Sequence, residues 1–315
     1  MTSIVFMGTP QFSVPILESL IEHNYDVLAV VTQPDRKVGR KHVLTAPPVK
    51  QAALKHDIEI LQPEKINHSP EMDRVIELKP DLIVTAAFGQ FLPTKLLAAA
   101  KIAAVNVHAS LLPKYRGGAP VHYSVINGDE QTGVSIIYMV KKMDAGDILS
   151  QRAIKIEKTD DTGNMFDKLS LLGRDLLLET LPELLNGTNQ AVAQTESEVT
   201  FSPNISSVEE RIDINKTAGQ IDDQVRGMRP FPISNMLMDN VVTKIIDVTP
   251  LTETTELKPG QIVQIGKKEL IVAAGDGTTF KINQLKPAGK PLMKIVDYLN
   301  GHHDLAQGGQ LITND

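Results

Sequence analysis

Cysteine is absent from this sequence of 315 residues. That excludes disulfides, thiolate metal sites and a cysteine nucleophile. No apolar run reaches the roughly 18 residues that a membrane-spanning helix needs. The start, Met1-Thr2-Ser3-Ile4-Val5-Phe6, lacks the charged opening and long apolar stretch of a signal peptide, and a strand begins almost at once. The cytoplasm is the expected location. Glycines are missing where nucleotide-binding folds need them. Gly8 follows the first strand, but neither G-x-G-x-x-G nor G-x-x-x-x-G-K-[ST] is present. Gly8-Thr9-Pro10 therefore reads as a tight strand-to-helix turn, which argues against a dinucleotide site. The net charge of -6 does not advertise a nucleic-acid partner. With 42% hydrophobic residues, the chain can bury one large domain and a smaller one.

What is present has a rhythm. Ser3–Met7, Asp26–Thr32, Asp81–Thr85 and Ile102–Val107 are apolar and β-rich, and a helical pattern runs to His23 after the first of them. Alternation of this kind builds βαβ units, hence an α/β fold with a Rossmann-like, mostly parallel sheet and helices on both faces. Thr132–Val140 and Ile148–Ile156 have only a turn between them, so they are expected as an antiparallel pair at the sheet's edge. Thr162–Leu185 has Met165, Phe166, Leu169, Leu172 and Leu176 at helical spacing and should cover one face. Residues 1–186 thus form the first domain. Residues 187–207 lack periodicity and read as a linker. Residues 208–315 hold one helix, Ala218–Met228, and short strands between turn signals, the pattern of a small, partly closed OB-like β-barrel.

The strand Ala103–Ala109 carries the strongest chemical signal. Strand side chains alternate, so Val105 and Val107 face one way, and Asn106 and His108 the other. A central parallel strand is normally apolar throughout. An amide beside an imidazole, at the carboxyl end where ligands of open α/β sheets bind, needs a partner or a job. Met143-Asp144-Ala145-Gly146-Asp147 supplies a second polar cluster. If Asp144 folds back onto His108, the three groups make an oxyanion donor, a proton carrier and a carboxylate that orients it. A satisfied core histidine and an ordinary Asp turn are the plain alternatives, and spacing does not choose between Asp144 and Asp147. Lys114-Tyr115-Arg116-Gly117-Gly118-Ala119-Pro120 follows, with paired glycines that let backbone approach a ligand.

Two stretches are basic despite the acidic total. Gln33–Lys50, expected as a long loop, carries Arg36, Lys37, Arg40, Lys41 and Lys50 against Asp35, a net charge of +4. Lys258–Lys294 carries seven lysines against Glu269 and Asp276, net +5. Solvated charge is the plain reading of both, and a phosphate-gripping surface is the functional one. The second domain has few aromatics for base stacking, which favours contacts to a nucleic-acid backbone.

These residues carry a resemblance. Phe6–Pro10, Thr32–Arg36, Asn106–Pro113, Tyr115–Pro120, Gly133–Asp144 with Gly146, and Gln284–Lys290 are similar to the folate-dependent formyltransferases, in particular the methionyl-tRNA formyltransferase family, over essentially the full length. The resemblance implies formyl transfer from 10-formyltetrahydrofolate to the α-amino group of methionine on initiator Met-tRNA, without a metal. It implies a catalytic trio of Asn106, His108 and Asp144, and a folate site lined by Ser110, Leu111, Leu112 and Pro113 with Phe88, Gly89 and Gln90 as another wall. It also implies tRNA contacts from Arg36, Arg40 and Lys41. A monomer suffices. A formyltransferase acting on a nucleotide-sugar amine, and a tRNA-binding module without catalysis, are the competing readings.

Overall fold

The computed structural model describes residues 1–39 and 41–314. The chain divides into two compact units. One comprises Met1–Pro120, Gln131–Lys155 and Phe166–Pro203; the other comprises Val121–Glu130, Ile156–Met165 and Asn204–Asp315.

In the first unit the elements run β1 (Ser3–Gly8), α1 (Val14–Glu22), β2 (Asp26–Val31), β3 (Arg36–Val38), β4 (Val43–Thr45), α2 (Pro48–Lys55), β5 (Glu59–Leu61), α3 (Pro70–Leu78), β6 (Leu82–Ala86), α4 (Thr94–Leu97) and β7 (Ala103–His108). Helix α5 (Pro120–Ile126) belongs mainly to the second unit. It is followed by β8 (Gln131–Tyr138), β9 (Ile148–Lys155) and the long α6 (Thr162–Asn186). The sheet order is β5-β2-β1-β6-β7-β8-β9. The first five strands are parallel, and β8 and β9 are antiparallel additions at one edge. This is the expected α/β sheet with its edge pair.

Alternation along the strands feeds two apolar layers. Val5, Met7, Ile83 and Ala104 pack with Met72 and Val75 of α3 and Leu96 of α4. On the other face Gly173 of α6 lies against Val107 and Val134, with a would-be Cβ only 2.8 Å from Val107 Cγ1. Helices therefore cover both faces, as buried parallel strands require. Asn106 and His108 share their face with Ala104, not with Val107.

Gln33–Lys50, expected as a loop, contains a hairpin. Arg36 pairs with Thr45, Lys37 with Leu44 and Val38 with Val43. The run of basic residues hides this short pairing from a sequence pattern. Asp35 and Lys50 close its base through a 2.9 Å ion pair, and Gln62 binds Asp35 at 2.8 Å. Those bonds hold the Asp35 carboxyl below the usual carboxylate range.

The second unit holds α7 (Ala218–Gly227), started by a Thr217–Gln220 capping box. Strands β10 (Asn235–Met238), β11 (Val241–Leu251), β12 (Ile262–Ile265), β13 (Leu270–Ala273), β14 (Thr279–Pro287) and β15 (Met293–Lys294), the short α8 (Ile295–Leu299) and β16 (Ile312–Thr313) complete it. The order is β12-β13-β14-β11-β10-β16, with β15 on β14. The final segment curls this sheet towards closure. Leu311 N and Ile312 N donate to Gly260 O beside β12, while Ile312 pairs with Met238 of β10. Phe280, Ile282 and Leu285 fill the interior, and Lys258, Lys267, Lys268, Lys290 and Lys294 are exposed. The OB-like expectation holds in this curled antiparallel sheet.

Among the described residues no helix is long and apolar enough to cross a membrane. Leu169 of α6 is wholly buried. Leu169→Ala should destabilise the protein by about 2–5 kcal/mol, read as a lower denaturant midpoint; an unchanged midpoint would contradict the packing of α6 on the sheet.

Candidate active site

The site is built on β6 and β7. Their register sets Thr85 beside Asn106. The Thr85 hydroxyl donates to Asn106 Oδ1 at 2.7 Å. That contact fixes the amide with its oxygen inward, leaving Nδ2 as the outward donor. Nδ2 lies 3.5 Å from Asp144 Oδ1.

His108 is buried. Its Nε2 lies 2.9 Å from the Tyr115 carbonyl oxygen. A carbonyl only accepts, so Nε2 carries a proton and donates it. Nδ1 faces Asp144 Oδ1 at 3.7 Å. A proton arriving at Nδ1 would thus meet a carboxylate. Tyr115 is itself held: its N–H donates to Thr200 Oγ1 at 2.9 Å, and the Ser202 hydroxyl donates to its carbonyl at 3.1 Å.

Asp144 reaches this place by doubling back. In the antiparallel register Tyr138 is already opposite Val105, and Met139 N donates to Ala104 O. The chain has run past Asn106 towards the amino end of β7, and the 140–147 turn returns over the sheet face. Gly146 allows that return, since a Cβ there would lie 1.7 Å from Tyr138 O. Gly117 N donates to Asp144 Oδ2 at 2.9 Å. Gly117 has φ 128° and a would-be Cβ 2.6 Å from Ser202 O, so only glycine brings a backbone N–H this close. Asp147 is exposed and contributes backbone, its carbonyl accepting from Tyr138 N.

The loops after β1, β6 and β7 leave the sheet at the same carboxyl edge. Thr9 Oγ1 and Gln33 Nε2 both donate to Phe88 O, at 3.0 and 3.2 Å. The Phe88 ring is buried in the core layer, so this residue offers the rim its backbone. Gly89 is exposed with φ 85°, and the Gln90 side chain turns back to Ile66 N at 2.7 Å. Ser110 is buried and donates to Lys114 O at 2.7 Å. Leu111 and Pro113 are half-buried and Leu112 is buried. Apolar side chains beside exposed backbone at a sheet's carboxyl edge suit a flat heterocycle. Ser135 of β8 braces this loop. Its hydroxyl donates to Ser110 O at 2.6 Å and accepts from Leu112 N and Gln151 Nε2, at 3.1 and 2.8 Å.

The basic hairpin follows β2. Arg36 is paired with Glu64, at 3.2 and 2.6 Å, and both side chains are more than half exposed. Lys41 is exposed. Arg40 lies outside the described residues. Among the described residues no group of three or more His, Asp or Glu is gathered as metal ligands would be.

Sequence reasoning passed over Thr85, Ser135, Gln194 and the Tyr115 carbonyl. Gln194 and Glu196 fall in the stretch read as linker, yet both bond to Arg116. Residue 192 also pairs with Ile148 and residue 201 with Arg116, so this stretch is stitched to the first unit. Its polar composition carries no periodicity that would have shown this.

Comparison with known proteins gives the class. The formyl transferase family matches residues 1–181, and the formyl transferase C-terminal domain matches residues 204–303. A methionyl-tRNA formyltransferase of Limosilactobacillus fermentum is 68% identical over the whole of both chains. One from Lactiplantibacillus plantarum is 67% identical, again over both full lengths. Among solved structures, the sugar 3N-formyl transferase WlaRD, crystallised with dTDP and 5-N-formyl-THF, aligns with a TM-score of 0.69 at 17% identity, over 92% of this chain and 99% of its own. An N-formyltransferase from Helicobacter canadensis, in complex with folinic acid and dTDP-3-aminofucose, gives 0.70 at 18%, over 91% and 100%. These two share the fold. The chain belongs to the formyl transferase family, on its methionyl-tRNA formyltransferase branch.

Ser135→Ala removes one donor and strands the Leu112 N–H, at a cost of about 1–3 kcal/mol. Affinity for a formyl-folate should fall along with stability. An unchanged folate dissociation constant would show that the loop braced by Ser135 takes no part in folate binding.

Proposed function

We infer that this enzyme transfers the formyl group of 10-formyltetrahydrofolate to the α-amino group of methionine on initiator Met-tRNA. The observation that carries this is the full-length identity, 68% in one case, to proteins named methionyl-tRNA formyltransferase. The trio read from the sequence adds the chemistry. All of its members come from one chain, which supports action as a monomer. A reaction on aminoacyl-tRNA belongs with translation and supports a cytoplasmic location.

The bound folate supplies an activated formyl group on nitrogen. Asn106 Nδ2 donates to the formyl oxygen as the amine attacks and negative charge builds there. Thr85 keeps the amide turned for that task. His108 carries protons between the attacking and leaving nitrogens, and Asp144 faces the imidazolium and orients its ring. The leaving nitrogen takes a proton as its bond to the formyl carbon breaks, and the product is an N-formyl amide. Positioning of both substrates supplies much of the rate. Ser110–Pro113 and the 88–90 backbone form the walls for the folate.

Arg36, Arg40 and Lys41 of the basic 33–50 segment contact tRNA phosphates. The Arg36–Glu64 pair does not oppose this. Exposed pairs contribute only about 0–1 kcal/mol, so a phosphate can displace Glu64 at little cost.

Asn106→Ala should lower single-turnover formylation of Met-tRNA about 10²–10³-fold, and His108→Ala should also impair it severely in folded protein. Near-normal turnover in either variant would remove that residue from the mechanism. Arg40→Ala should weaken Met-tRNA binding and lower the slope of log affinity against log salt by about 1, with folate binding intact. Equal loss of folate binding would indicate misfolding and contradict the phosphate role.

A further inference from the structure

Asp144 occupies a turn with little of its own to hold it. The residue is in the left-handed region at φ 49°, which disfavours side chains other than glycine, asparagine and aspartate. Its neighbours Lys141, Lys142, Met143 and Asp147 are exposed.

Support comes from 50 residues further along the chain. Gln194 Nε2 donates to Asp144 O at 2.8 Å and to Gly146 O at 2.7 Å. Its Oε1 accepts from Arg116 Nε at 2.9 Å. Arg116 is 1% exposed and has only donors to offer. The Gln194 amide therefore fits one way round, oxygen to the guanidinium and nitrogen to the turn. All of its hydrogen-bonding groups are in use.

A second residue of the same segment repeats the link. Glu196 Oε1 accepts from both terminal nitrogens of Arg116 at 3.2 Å, and Oε2 accepts from Lys142 Nζ at 3.1 Å. Lys142 and Arg116 hold the Glu196 carboxyl below the usual carboxylate range. Next to Arg116, the Gly117 N–H takes Asp144 Oδ2. Asp144 is thus gripped twice, by its backbone through Gln194 and by its side chain through Gly117, and Arg116 sits between the two grips.

We propose that Gln194 is a positioning residue for formyl transfer: its amide, oriented by Arg116, fixes the 142–146 turn so that the Asp144 carboxylate faces His108 and Asn106. This rests on the role given to Asp144 above. Gln194 spends its amide on the turn and on Arg116, so its loss should fall on kcat and not on KM. The stretch 188–203 is then a working part of the catalytic unit.

The test compares Gln194→Glu, Gln194→Met and Asp144→Asn in the full chain, with 10-formyltetrahydrofolate and Met-tRNA. Gln194→Glu keeps the size and the contact to Arg116 but turns an oxygen towards two carbonyls. Gln194→Met is neutral, of similar length, and has no donor. Both should lose kcat about tenfold or more, equivalent to about 1.4 kcal/mol of barrier. KM for each substrate should stay close to wild type, and the kcat loss of Gln194→Glu should exceed what any fall in its unfolding midpoint explains. Wild-type kcat in both Gln194 variants beside an impaired Asp144→Asn would overturn the inference and leave the active-site reading standing. Wild-type kcat in Asp144→Asn would instead overturn that reading. A Gln194→Glu loss that tracks only the fraction of unfolded protein, or that raises KM in step with a constant kcat, would also overturn the proposal.

Discussion

A half-buried amide and a buried imidazole on one sheet face need partners, and the organisation of the first unit follows from that requirement. Thr85 takes the Asn106 oxygen, the Tyr115 carbonyl takes one His108 nitrogen, and Asp144 faces both of the groups that remain. Unpaired, each buried polar group would cost roughly 1–3 kcal/mol. The 140–147 turn doubles back because the carboxylate has to come from somewhere, and β8 ends too far along β7 to supply it directly. The same pairing brings an amide, an imidazole and a carboxylate together on one sheet face.

Rigidity and exposure are divided between two segments of the first unit. The turn that bears Asp144 is tied by Gly117, Gln194 and, through Glu196, by a buried arginine. The hairpin that bears Arg36 and Lys41 is held at its base by Asp35, Lys50 and Gln62 and on its first strand by the exposed Arg36–Glu64 pair, and both strands are exposed. The proposed roles call for this division: a carboxylate that orients a proton carrier needs fixed geometry, whereas a phosphate contact needs charge that is cheap to redirect.

Much of this was legible in the sequence, for identifiable reasons. Strands β1, β2, β6 and β7 are short apolar runs, and α6 repeats its apolar residues at helical spacing over many turns. Asn106 and His108 stood out because polarity on a buried strand is anomalous. Asp144 and Asp147 were indistinguishable by spacing, since what separates them is a fold-back fixed by register and by the room at Gly146. Phe88 looked like a pocket wall, but an aromatic ring beside a core strand gains more by joining the apolar layer. The hairpin was hidden because two three-residue strands, one of them basic, are too short to show a period. The 188–203 segment was opaque because its contribution is made by single polar side chains to backbone carbonyls, which leaves no pattern along the chain.

The central claim is that the Asn106 amide, turned by Thr85 and set beside Asp144 and His108, receives the oxygen of the group being transferred. A crystal structure of the enzyme with a stable formyl-folate tests this most directly. The account predicts the formyl oxygen at about 2.7–3.1 Å from Asn106 Nδ2, with Asp144 still facing His108. A formyl group bound away from Asn106, or an Asp144 carboxylate turned to solvent in that complex, would contradict it.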